Sequence, residues 1–125
     1  MGVAEIQSSI DNLNSQVRGL GNLKTNYQNM NNQINEAIKE LSASYNSIIE
    51  AKNKLSQNYS SETANNKLKE LEEEANKINN LIKKLRDEIL AESNRKISTI
   101  NSTIQQTQQE ISSKNKELQD EKNKG

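Results

Sequence analysis

An apolar or tyrosyl side chain recurs at every seventh residue through the first half of the chain: Ile6, Leu13, Leu20, Tyr27, Ile34, Leu41, Ile48 and Leu55. A second series runs three residues ahead of it: Val3, Ile10, Val17, then polar Lys24 and Asn31, then Ile38, Tyr45, Lys52 and Tyr59. Steps of three and four put both series on one stripe of an α-helix, the seam of a heptad repeat. The pattern predicts a first helix over about residues 3–57. Where the second series turns polar, Leu23 and Met30 stand one residue earlier and are expected to take over the seam. Gly19-Leu20-Gly21 interrupts the run. Two glycines cost roughly 2 kcal/mol against alanine inside a helix, so a kink or a break is expected there. The heptad phase carries on through them, which favours the kink.

Residues 57–63, QNYSSET, are the weakest helical stretch in the middle of the chain. They predict a turn at about 58–61, formed by Tyr59, Ser60 and Ser61. Ser60 or Ser61 can cap a new helix, with Glu62 in its positively polarised first turn. The second helix is expected over about 62–118. Its seam reads Leu68, Leu71, Ala75, Ile78, Ile82, Leu85 and Ile89, then slips by one residue to Ile97, Ile100, Ile104, Ile111 and Leu118. The polar tail 119–125 is expected to fray.

Folding the chain back at Tyr59–Ser61 sets Ile48 opposite Leu71, Leu41 opposite Ile78 and Ile34 opposite Leu85. Two heptad patterns can always be matched in phase, so the irregularities carry more weight than the matches. In this register Leu23 faces Ile97 and Met30 faces Ile89, so the defect in each arm meets the defect in the other. The expected fold is therefore an all-α, antiparallel two-helix hairpin of coiled-coil type, forming one domain. Its intramolecular seam is Ile34, Leu41, Ile48, Leu71, Ile78 and Leu85. Ala37, Ile49, Leu81 and Leu90 fall off that seam. They are either ordinary scattered surface apolars or a second stripe that binds a partner helix pair, as in a four-helix bundle.

Composition narrows the chemistry. Apolar residues make up 30% of the chain, well under the ~45–50% of a globular domain. That level invites disorder, but charge is balanced at 17 basic against 17 acidic residues, proline is absent, and the apolar residues keep register. Twenty asparagines are mediocre helix formers, so the helices must lean on tertiary contacts. Without Cys or His, the usual zinc sites, thiol nucleophiles and imidazole bases are excluded. Glu70, Glu72, Glu73 and Glu74 point in different directions from one helix and cannot converge on one ion without partners; a solvated helix face is the ordinary explanation. No cofactor and no catalysis are expected. No basic stripe with interleaved aromatics suggests nucleic acid, no run approaches the ~20 apolar residues of a membrane span, and MGVAEIQSSID does not read as a signal peptide. Lys24 and Asn31 within the seam either set register or are simply tolerated.

The amphipathic start AEIQSSIDNLNSQV, the central turn NYSSETA and the late stretch SNRKISTINSTIQQTQQEI resemble the small WxG-like helical hairpins of Gram-positive type VII secretion. The chain is most similar to the longer relatives encoded beside LXG toxins. At the family's W-x-G turn this sequence has Tyr59-Ser60-Ser61, and no tyrosine is followed four residues later by an acid, as the family's export signal requires. The resemblance implies an adaptor that pairs with the helical N-terminal domain of such a toxin, or with another small helical hairpin, and helps its export. It implies a cytoplasmic protein, with co-export alongside the partner as the other course. The second reading of the residues is a structural coiled-coil module, a homo-oligomer or a piece of a larger filamentous or phage protein.

Overall fold

The computed structural model describes residues 2–124. Helix α1 runs Val3–Asn58 and α2 runs Glu62–Lys84. A π-helical turn covers Leu85–Leu90, and α3 runs Ala91–Lys124. Among the described residues only Gly2, Tyr59, Ser60 and Ser61 lie outside helix, and none forms a strand. The two long helical arms pack against each other, giving the expected all-α hairpin.

Helix α1 is a single element through Gly19 and Gly21, so the break does not occur. Neither glycine adopts a positive φ. A Cβ added at either one would meet nothing within 4 Å. These glycines are a cost without a packing return. Gly19→Ala and Gly21→Ala are each expected to stabilise the protein by about 0.5–1 kcal/mol, which a rise in thermal midpoint will register.

The turn follows from capping. Tyr59 N–H still donates to the Leu55 carbonyl at 3.0 Å, closing α1. Ser61 is extended (φ −75°, ψ 163°) and its hydroxyl accepts from Ala64 N–H at 3.1 Å, satisfying one of the orphan donors of a helix start. Glu62 sits in that first turn. Of the two serines, Ser61 is the cap. Tyr59 lies outside the helix and is 63% exposed. The heptad series therefore ends at Leu55 and does not extend to Tyr59, because the backbone leaves the helix before the next seam position.

The chain forms two compact units: residues up to 29 with those from 94 onward, and residues 30–93. In the first, Ile6, Ile10 and Leu118 make a buried cluster with Ile111 packed against it. Ile100 and Thr107 are buried as well. Thr107 Oγ1 donates to the Thr103 carbonyl at 2.8 Å, which lets a hydroxyl occupy the seam without an unmet hydrogen bond. In the second unit Ile34, Ala64, Ala75 and Ile82 are buried. An ion pair between Lys52 Nζ and Glu72 Oε1, 3.9 Å apart, bridges α1 and α2 within this unit.

The seam of α1 has no phase defect. Lys24 and Asn31 remain half-buried at their heptad positions, while Leu23 and Met30 are exposed. The expectation that these two apolar residues replace them, facing Ile97 and Ile89, is overturned. A neighbouring residue on a helix is turned about 100° away, and a lysine can line an apolar seam with its methylenes while its ammonium reaches water. Keeping phase costs less than changing it.

The slip in the second arm is real, and the π-turn absorbs it. A π-turn holds one more residue than the α-turn it replaces. Apart from Asn79 and Ala91, each half-buried one residue past a seam position, the buried and half-buried positions upstream are Ala64, Leu68, Leu71, Ala75, Ile78, Ile82 and Leu85; downstream they are Leu90, Ser93, Ile97, Ile100, Ile104, Thr107, Ile111, Lys114, Leu118 and Glu121. Both runs step by three and four. Only Leu85 to Leu90 steps by five. Immediately after the wide turn, Ala91 N–H bonds back to the Glu88 carbonyl, a tight closure that restores the helix.

Residues 119–124 are helical, since α3 runs to Lys124. Leu118 is buried and Glu121, the next seam position, is half-buried. Lys114–Glu117 at 3.3 Å and Lys124–Glu121 at 3.4 Å add pairs of the i,i+3 type, which support a helix surface.

Candidate partner-binding surface

Each arm of a two-helix hairpin can cover only one stripe of the other, so the seam stays open along both flanks. Ile34 is buried, but Leu41, Ile48, Leu71, Ile78 and Leu85 are each half-buried. On α2 the buried residues are Ala64, Ala75 and Ile82.

The four residues expected to bind a partner do not form one stripe. Ala37 and Leu81 each stand one residue before a seam position, Ile38 and Ile82, which places them on the same flank of an antiparallel pair. Ala37 is half-buried and Leu81 is 47% exposed. Ile49 stands one residue after seam residue Ile48 and is half-buried on the opposite flank. Leu90 is half-buried and belongs to the seam, because the π-turn brings it into step with Ser93 and Ile97. Sequence reasoning missed two members of the exposed apolar surface of this unit: Met30, on the flank of Ala37 and Leu81, and Ile89, 41% exposed. Both had been placed in the seam by their apolar character. The signal that excludes Met30 is the unbroken seven-residue phase of α1.

The turn residues Tyr59, Ser60 and Ser61 are exposed. Ser61 is engaged as the cap, while Tyr59 offers an aromatic ring at the end of the unit.

Among the described residues no group of three carboxylates approaches a metal-binding geometry, and no helix is long and apolar enough to cross a membrane. A shallow polar depression on α3 is lined by Gln106, Gln109, Glu110, Ser113 and Lys114; all come from one helix, so no second element converges on it. The ion pairs are solvated, Lys54–Glu50 and Lys67–Glu70 among them, and exposed pairs of this kind are worth roughly 0–1 kcal/mol. No protein-family model matches the chain, and neither a curated protein nor a solved structure resembles it significantly.

Proposed function

We propose that the protein is a non-catalytic adaptor whose hairpin binds a helical partner. The partner of choice is the N-terminal helical domain of an LXG-type toxin of type VII secretion, on the strength of the sequence resemblance. The observation that carries the binding role is the exposed apolar flank of Met30 and Leu81 beside a half-buried seam. A hairpin gains little from Leu81 at 47% exposure. A partner helix laid along that flank would cover Leu81 and close the seam beneath it, as a third helix does in a bundle. Ile49 offers a lesser foothold on the other flank. Polar and charged neighbours, Lys77, Lys84 and Glu88, would set the orientation. Binding takes place in the cytoplasm, before export of the partner.

Burying a leucine or isoleucine contributes about 1.5–3 kcal/mol, so each lost anchor weakens binding about tenfold or more. Ile49→Glu with Leu81→Glu is expected to leave the helicity of the isolated protein nearly unchanged and to abolish pull-down of a co-expressed toxin N-terminal domain. Helicity lost together with self-association, and no binding by the parent protein, would instead identify a self-contained structural coiled coil.

A further inference from the structure

We propose that the π-turn is a sliding joint, in which Ile89 and Leu90 compete for one position in the seam. Leu85 and Ile97 are one residue further apart than heptad steps of four, three and four allow. The surplus residue must be accommodated somewhere between them. The structure places it in Leu85–Leu90, so Leu90 turns inward and Ile89 is left 41% exposed. Moving the surplus half a turn later gives steps of four from Leu85 to Ile89, from Ile89 to Ser93 and from Ser93 to Ile97. Ile89 then fills the layer and Leu90 faces outward. Ser93 and Ile97 keep their places in both arrangements.

The two arrangements are closely matched in chemistry. Each buries one branched aliphatic side chain of the same composition and exposes the other. Neither draws a charged residue into the seam. The adjoining layer also has little to lock it: Ser93 is 2% exposed and its hydroxyl oxygen has no hydrogen-bond partner. A small side chain with an unmet polar atom holds its neighbours less firmly than a packed aliphatic would. The consequence is a joint that offers either isoleucine or leucine to the surface at one place on the second arm. A partner seated on Ile89 would hold the joint as it stands here. This inference does not depend on which partner the protein binds.

A double-substitution cycle in the full chain tests it. Ile89→Gln is expected to change the urea midpoint little, since Leu90 already fills the site. Leu90→Gln is expected to lose little as well, because Ile89 moves in. The double variant has no aliphatic left to supply. Its folding equilibrium constant is expected to fall by about tenfold or more beyond the product of the two single losses, within the range seen for coupled neighbours. Single losses that multiply to the double loss, with Leu90→Gln carrying nearly all of it, would overturn the proposal.

A second readout needs no double glutamine variant. The chain has no cysteine, so Ile89→Cys introduces the sole thiol. Its labelling is expected to slow when Leu90→Gln is added, as position 89 turns inward. An unchanged labelling rate would show a fixed turn.

Discussion

Ile82→Ala is expected to destabilise the protein by about 2–4 kcal/mol, because it truncates a packed side chain and leaves a void. Leu81→Ala, one residue earlier, is expected to change stability by less than about 0.5 kcal/mol, as for an exposed site. The physical difference is position. Ile82 is 6% exposed and closes the seam of its unit, whereas Leu81 is 47% exposed on the flank. Leu41→Ala and Ile78→Ala fall between these, since both residues are only half-buried. A loss of 2–4 kcal/mol is a large part of the ~5–15 kcal/mol that holds a small protein together. Equal losses at Leu81 and Ile82 in urea unfolding would mean that the seam is wrongly placed.

Much of this arrangement could be inferred from the chain alone, because a heptad seam states both which face is buried and where it stops. Ile34, Ala75 and Ile82 were assigned to the seam by spacing and are buried. Ser61 was one of two serines able to cap α2, and its hydroxyl makes the capping bond. Where sequence and structure differ in α1, phase prevails over apolar character. Leu23 and Met30 are apolar but one residue out of step, and they are exposed; Lys24 and Asn31 are polar but in step, and they are half-buried. On a helix, a side chain's direction follows from residue number, and hydrophobicity cannot rotate it without a change in the backbone. Where the backbone does change, at Leu85–Leu90, the adjacent Ile89 and Leu90 fit the pattern equally well. The spacing of apolar residues therefore shows a one-residue slip before Ile97 without fixing whether Ile89 or Leu90 takes the seam. Leu90 was consequently set off the seam. The surface is less legible for a different reason. An exposed leucine is ordinary on any protein, and only the geometry that puts Leu81 and Met30 on one flank turns scattered residues into a candidate interface.

Two deletions of a single exposed residue should have opposite consequences. Removing Asp87 takes the surplus residue out of the π-turn. Leu85, Leu90, Ser93 and Ile97 then follow in steps of four, three and four, and the turn can close as ordinary α-helix. Removing Asn101 could draw on that surplus only by turning Ser93, Ile97 and Ile100 out of the seam. Every later residue of α3 is turned by about 100°, which carries Ile104, Ile111 and Leu118 off the seam of their unit, where Ile6, Ile10, Ile111 and Leu118 pack together. Losing the burial of two such side chains costs on the order of 3–6 kcal/mol.

The most direct measurement is urea unfolding of these two deletion variants beside the parent, followed by helicity. A continuous heptad seam with its one extra residue held at Leu85–Leu90 predicts that deletion of Asp87 keeps the parent's unfolding free energy within about 1 kcal/mol or raises it, while deletion of Asn101 lowers it by several kcal/mol. Equal losses in the two variants, or a greater loss on deleting Asp87, would contradict it.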